Sequence, residues 1–269
     1  MDLFDLNANS ARAMPLAERM RPRELSEFIG QKHLLHKGSL LMRAIQADKL
    51  GSCIFFGPPG TGKTTLAGII ANSTSSKFVK LNAVSSGVAE AKKVIEEATE
   101  RLRVFNKRTF LLLDECHRWS KAQSDCVLSA IETGSIIFIG STTENPFVSM
   151  TRAIVSRCRV FELKPLETSD IVDGLKRAVA SENGLAEYSL RVDDEAYTHI
   201  AWSANGDLRN AFNALELAVL TTPPDRDGVI VIDKAVAQES TQRRVLSIDD
   251  SMYYDMLSAF CKSLRGCDP

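Results

Sequence analysis

Residues 57–64 read Gly-Pro-Pro-Gly-Thr-Gly-Lys-Thr, a match to GxxxxGK[ST]. The stretch follows an apolar run, Cys53–Phe56, and opens a segment with helical spacing, Thr64–Asn72, which is the context this pattern requires. Its glycines let backbone N–H groups curl around an anion with no Cβ in the way. The N-terminus of the next helix adds its dipole and its free N–H groups. Gly57, Pro58, Pro59, Gly60, Thr61, Gly62, Lys63, Thr64 and the adjoining Thr65 are therefore candidate phosphate-binding residues. Lys63 is placed to reach the β- and γ-phosphates and Thr64 to ligate Mg²⁺. The bland alternative is a chance glycine-rich turn, which a match at every position in this context disfavours.

A second group lies at Phe110–Glu115, FLLLDE. Four apolar residues carry Asp114 and Glu115 to the C-terminal end of a buried strand, the edge at which open α/β sheets bind ligands. Asp114 is then the candidate for the Mg²⁺ shell and Glu115 for orienting and polarising an attacking water. Strands often end in acidic residues with no such role, but the pairing with the phosphate loop makes the chemical reading the stronger one. Together the two motifs indicate a P-loop nucleoside triphosphatase. Asp114-Glu115-Cys116-His117 is also a DExH-type box, as in helicases with two RecA-like lobes. That reading needs a QxxGRxGR-like motif in a second lobe, and nothing after residue 120 matches it.

The elements that must position these residues follow from periodicity. Strands are expected at Cys53–Phe56, Phe78–Leu81, Phe110–Leu113, Ile136–Gly140 and Val160–Leu163. Helices are expected after Gly38 as far as Leu50, and at Thr64–Asn72, Val88–Phe105 and Ser124–Thr133. This alternation implies an α/β fold with a parallel, doubly wound sheet. After Pro165 the texture changes to capped helices at Ser169–Ala180, Asp193–Ser203, Asp207–Leu220 and Asp233–Glu239, with a short extended piece at Val229–Ile232. The expected division is an α/β core over 1–165 (with 1–13 flexible), a small helical lid over 166–240, and a further segment over 241–269.

The whole-chain numbers fit that division. At about 150 residues per domain, 269 residues make one large domain or two modest ones. Lys+Arg is 33 and Asp+Glu 34, so the net charge of −1 gives no sign of a strongly basic or acidic partner surface. It does not exclude nucleic acid, since a small basic face fits inside a balanced total. Six scattered cysteines with no CxxC pair imply neither a disulfide framework nor a zinc site. The longest uncharged runs, 50–62 and 64–76, are too short to span a bilayer. The acidic, polar N-terminus is not a secretory signal. A reducing, cytoplasmic or nucleoid-associated setting is expected.

Four further stretches resemble AAA+ ATPases. Ile136–Asn145, IIFIGSTTEN, is a strand ending in hydroxyls, the sensor-1 position, filled by Thr143 or in another register by Thr142. Ser156-Arg157-Cys158 is similar to the SRC box of clamp-loader ATPases, whose arginine projects into the neighbouring subunit's nucleotide. Gly206–Asn210, GDLRN, resembles the sensor-2 GDxR motif and puts Arg209 in the first turn of a lid helix. Leu81-Asn82-Ala83 resembles the stretch where related ATPases place a polar residue that switches the catalytic glutamate, which makes Asn82 a candidate. Singly, each has a bland reading, as a solvated arginine or a Gly-Asp turn and cap. Their joint appearance in this order is far more specific, and it implies a P-loop AAA+ core followed by a helical lid.

The wording is closer still to one family. PLAERMRPRELSEFIGQKHLL (15–35), NAVSSGVAEAKKVIEEA (82–98), DECHRWSKAQSDCVLSAIETGSIIFIGSTTENP (114–146) and YYDMLSAFCKSLRGCDP (253–269) resemble the replication-associated recombination protein A family, which includes the eukaryotic Werner helicase-interacting ATPase. The resemblance implies a DNA-dependent Mg-ATP hydrolase acting in replication-fork maintenance, recombination and repair. Its implied partners are single-stranded, gapped or forked DNA and single-stranded-DNA-binding protein, with homo-oligomers in full-length members and no membrane. ATP is expected between core and lid, its base near residues 15–22 and 29–31, so Ile29 and Gly30 join the cofactor-binding candidates. Lys63, Glu115 and Thr143 act in cis with Arg209, and Arg157 acts from a neighbour. Cys116, Trp119 and Ser120 depart from the family's usual residues beside the catalytic pair, so tuning is expected rather than loss. Family chains continue past the RGCDP-like segment, so 241–269 is expected to begin an oligomerisation domain cut short at Pro269. Alternatives are an ATP-switched scaffold or clamp-loader-like subunit with little turnover, and, less favoured, the DExH helicase. Lys92, Lys93, Arg101, Arg103, Lys107 and Arg108 could contact DNA, but interleaved Glu90, Glu96, Glu97 and Glu100 favour a solvated, laced helix face.

Overall fold

Apolar runs too short for helices build the centre of the molecule. The computed structural model describes residues 14–74, 76–241, 257–258 and 260–263. The expectations for 1–13 and for most of 241–269 lie outside the described residues. Five strands, β1 (Cys53–Phe56), β2 (Lys77–Asn82), β3 (Thr109–Asp114), β4 (Ile136–Thr142) and β5 (Arg159–Glu162), pair in parallel in the order β2-β3-β4-β1-β5. The preceding helices are α1 (Leu16–Arg19), α2 (Lys32–Leu35) and α3 (Leu40–Gln46). Interleaved with or following the strands come α4 (Lys63–Asn72), α5 (Val88–Phe105), α6 (Lys121–Thr133), α7 (Pro146–Ser149) and α8 (Arg152–Val155).

Strand periodicity sorts the core into two layers. Phe55, Phe110, Leu112, Ile137 and Ile139 pack with Leu66 and Ile70 of α4. Ile54, Leu111, Leu113, Ile136 and Phe138 pack on the other face with Ala91 and Ala98 of α5 and Val127 and Ala130 of α6. Burial on both faces is why β3 reads as an unbroken apolar run instead of an alternating one.

Two helices differ from expectation by three residues or more at one end. The helix expected to run from Gly38 to Leu50 spans only 40–46. The Ser39 side chain accepts from Met42 N (3.2 Å) at its start, and Asp48 in the left-handed region (φ 49°) closes it. Helix α6 begins at Lys121 rather than Ser124, because Ser120 and Gln123 form a reciprocal capping box.

The lid consists of α9 (Thr168–Ala180), α10 (Asp194–Ser203), α11 (Leu208–Thr221) and α12 (Lys234–Ser240). It also contains a small parallel pair, β6 (Leu190–Val192) with β7 (Ile230–Ile232). Strand β6 was not foreseen: three residues with a central arginine leave no period to detect. Packing also assigns residues 14–22, the lead-in to the core, differently from their place in the chain. Leu16 and Met20 join the lid's apolar cluster. Both Glu216 carboxylate oxygens accept from Leu16 N (3.0 and 2.9 Å), and Arg19 Nη2 pairs with Glu216 (3.0 Å). Residues 16–20 thus pack with the lid, although the expected division counts them with the core.

Candidate active site

Strand order decides which side chains meet. Strand β4 lies between β1 and β3, so its C-terminal end sits between the phosphate loop that follows β1 and the carboxylates that end β3. Gly57 N donates to Thr142 O (3.2 Å), and Ser141 Oγ donates to Asp114 Oδ1. Thr64 Oγ1 reaches the same carboxylate oxygen at 3.1 Å. From the sheet edge, Lys80 of β2 brings its ammonium to 3.4 Å from Asp114 Oδ2. Burial works to raise the Asp114 carboxyl, but the Ser141 bond, the Lys80 charge and the Thr64 bond outweigh it and hold the group below its ordinary value. Ser141 and Lys80 were not among the sequence candidates. Ser141 lies inside the hydroxyl-rich strand end already singled out. Lys80 carries no sequence signal, because only the β2–β3 pairing places it.

The loop itself is tightly built. Gly57 has φ 143°, and a Cβ there would lie 2.1 Å from Leu163 O, so only glycine fits. At Gly60 (φ 69°) a Cβ would lie 1.8 Å from Asp207 Oδ1. Asp207 is the N-cap of α11, its side chain accepting from Asn210 N (3.2 Å). The sequence marks Asp207 as a cap, but not its contact with the loop. Lys63 is buried and its Nζ donates to Gly57 O and Pro58 O, both at 2.7 Å. Burial pushes its ammonium down to about 8. Glu115, Asp114 and Asp207 pull the other way, and Arg209 adds to the fall.

A cleft of about 260 Å³ opens over the loop. It is lined by residues 59–65, by Ile29, Asn82, Asp114, Glu115 and Thr143, and from the lid by Leu208 and Arg209. Of the two sensor-1 candidates, Thr143 lines the cleft. Thr142 is fully buried and bonds to His117 and to the backbone of Glu144. Gly30 does not line the cleft and packs against Leu166 and Asp170. Gly57 and Pro58 lie outside the lining and serve through their carbonyls. Asn82 lines the cleft, but its Oδ1 accepts from Val84 N (2.8 Å). Arg157 is exposed and away from the cleft, its Nε donating to Glu132 Oε1 (2.7 Å) and its Nη1 to Ala153 O (2.8 Å).

The oxygen donors fit a magnesium ion. One carboxylate beside one hydroxyl suits a cation that takes its remaining ligands from phosphates and water. Among the described residues no group of three or more His, Cys, Asp or Glu forms a self-sufficient metal cage. None of their helices is long and apolar enough to cross a membrane.

Comparison with known proteins identifies relatives of the chain. Residues 20–153 match the family described as the Holliday junction DNA helicase RuvB P-loop domain, and residues 186–265 match an AAA C-terminal domain. Replication-associated recombination protein A of Bacillus subtilis is 45% identical over 257 residues, covering 94% of this chain and 60% of the relative. The protein of the same name from Escherichia coli K12 is 41% identical over 272 residues, covering 100% and 61%. The chain belongs to the replication-associated recombination protein A family of AAA+ ATPases. Membership extends to eukaryotic relatives: the ATPase WRNIP1 of Dictyostelium discoideum is 39% identical over 98% of this chain and 32% of its own length. The chain spans about 60% of the length of the two bacterial relatives. Among solved structures, the Thermotoga maritima RuvB Holliday junction branch migration motor superposes with a TM-score of 0.66. It is 26% identical, covering 87% of this chain and 75% of that one. The AAA+ architecture expected from the motifs, a parallel P-loop sheet followed by a helical domain, is thus the architecture of this family member.

Proposed function

We propose that this chain hydrolyses Mg-ATP in the cleft between the sheet edge and the lid, and that turnover is coupled to DNA in replication-associated recombination and repair. The observation that carries the reading is the convergence, on one cleft, of the phosphate loop, Asp114 and Glu115, Thr143 and Arg209. Lys63 and the loop amides hold the phosphates, and Glu115 accepts the proton of the attacking water. Thr143 helps place that water, and Arg209 balances charge on the transferred phosphoryl group. A Mg²⁺ ion held by Thr64 and Asp114 supplies Lewis-acid charge neutralisation when bound. Asn82 adjusts Glu115 from the next strand, and Ile29 borders the base. Arg157 acts on a neighbouring copy's nucleotide. That fits its exposed position outside its own cleft, and an arginine supplied in trans is worth roughly 10³–10⁵ in rate. The names of its relatives support DNA as the partner, whereas single-stranded-DNA-binding protein as an associate and action beside the nucleoid rest on the family resemblance of the sequence alone.

The test is ATP hydrolysis by wild type and Glu115→Gln, with and without single-stranded, gapped and forked DNA. The expected result is Mg²⁺-dependent turnover raised by DNA, lost in Glu115→Gln while ATP binding persists. Absence of Mg²⁺-dependent cleavage overturns the hydrolase. Equal rates in every DNA arm overturn the coupling.

A further inference from the structure

We propose that His117 is a positioning residue that fixes the Glu115 carboxylate and ties it to the end of β4. This rests on the hydrolase reading above. Glu115 leaves β3 in the left-handed region (φ 54°, ψ 43°) and caps a single 3₁₀ turn, Cys116–Arg118. That sharp reversal folds the His117 ring back beneath the residue two before it. The imidazole is nearly buried, its side chain 5% exposed, and Nδ1 lies 3.5 Å from Glu115 Oε2 and 2.9 Å from Thr142 Oγ1.

The bond that Arg118 makes to the ring selects one tautomer. Arg118 Nε donates to His117 Nε2 at 3.1 Å, so Nε2 carries the lone pair and Nδ1 carries the proton. Thr142 Oγ1 then accepts from His117 Nδ1–H and from Glu144 N (3.0 Å), and has its own proton for Glu144 O (3.3 Å). A hydroxyl has two acceptor positions and one donor, and all three are used. The Glu144 carboxylate also lies 3.5 Å from Nε2, a contact that opposes a lone pair there, but the Arg118 donor is nearer. The Nδ1–H therefore bonds the residue immediately before Thr143, with the water-activating Glu115 carboxylate 3.5 Å from the same nitrogen. Asn82, the family-implied partner of the glutamate, spends its side-chain oxygen on Val84 N.

A partly exposed carboxylate on a strained turn has rotamers to lose, and catalysis requires one of them. A misplacement of about 1 Å can cost roughly 100-fold in rate. His117 supplies the constraint from beneath, and it makes the Glu115 orientation depend on the register of β4 at Thr142. Movement of residues 142–144 would then be felt at Glu115 through one ring.

Two measurements test this on the full chain. In the nucleotide-free protein, ¹⁵N imidazole spectra should show His117 protonated at Nδ1, and its Nδ1 resonance should move in Glu115→Gln. An Nε2–H tautomer, or an unmoved resonance, overturns the proposal. In single-turnover ATP cleavage, His117→Ala should lower the rate constant by about 10–100-fold with ATP affinity unchanged within about twofold. His117→Asn, whose amide N–H falls near the Nδ1–H position, should recover most of it. In the Glu115→Gln background, where only the slow residual cleavage of a long single turnover is followed, adding His117→Ala should cost nothing further, because residues acting as a unit are non-additive. An equal further loss, or parallel losses of affinity and thermal midpoint in place of rate, overturns the positioning role. A wild type that cleaves no ATP defeats the hydrolase reading, and the spectra still decide the ring's bonding.

Discussion

ATP binding should take up a proton at Lys63 above neutral pH. The Lys63 ammonium is buried among loop carbonyls and sits at about 8, against an ordinary 10.5. Phosphate oxygens brought against it favour the charged form and restore a higher value in the complex. Below about pH 8 the free protein already holds the proton, so affinity is flat. Above it, binding must take up a proton, and Kd rises about tenfold per pH unit until the bound lysine itself titrates. If the complex recovers the full 10.5, the ceiling is roughly 300-fold, or about 3.4 kcal/mol at about 1.36 kcal/mol per pH unit. At pH 8 about half a proton should enter per ATP. The terminal phosphate, with its second ionisation near about pH 6, contributes nothing there. The assay is calorimetric titration with Mg-ATP from pH 7 to 9.5, in paired buffers of different ionisation enthalpy. Lys63→Arg keeps its charge throughout, so it should bind more weakly but with no such slope. A Kd unchanged between pH 7 and 9.5, with no proton uptake, would refute the reasoning.

Arg157→Ala should abolish any rise of specific ATPase activity with protein concentration while leaving nucleotide affinity intact, as measured by steady-state rates over a wide dilution series. Glu216→Ala removes the acceptor of Leu16 N and of Arg19. It should cost about 1–3 kcal/mol, read as a thermal midpoint lowered by about 2–4 °C per kcal/mol. Gly60→Ala should weaken ATP binding at least tenfold by forcing Asp207 away from the loop, whereas Gly134→Ala, which meets nothing within 4 Å, should leave binding unchanged.

The phosphate loop and the β3 carboxylates were legible because their chemistry depends on residues adjacent in the chain. The same holds for the strands of the core, where an unbroken apolar run such as Phe110–Leu113 admits few other readings. What the sequence withheld depends on pairing between distant segments. Lys80 reaches Asp114 only because β2 pairs with β3 in register, Asn82 opposite Asp114. The expected division counts Leu16 and Met20 with the core, yet both pack in the lid's apolar cluster and Glu216, about two hundred residues later, holds Leu16 there. Helix bounds shifted by a few residues where a side-chain cap such as Ser120 was overlooked. His117 was visible as part of a DExH box, but its bond to Thr142 requires knowing that β4 lies beside β3.

The strand order also explains why loop and lid belong to one device. Parallel strands β1, β4 and β3 end side by side, so the loop, the hydroxyls and the carboxylates form a row along one edge. The lid meets that row at Asp207, which abuts Gly60 and caps the helix carrying Arg209. Helix α11 also holds Glu216, which anchors the lead-in, and residues 17–22 of the lead-in, except Arg19, line the same cleft. A nucleotide in the cleft therefore touches the core through the loop, and the lid through both ends of one helix's contacts. A displacement of Asp207 relative to Gly60 is transmitted to Arg209 two residues along, and through Glu216 to the opposite wall. The lid cannot change its position on the core without changing the walls of the cleft.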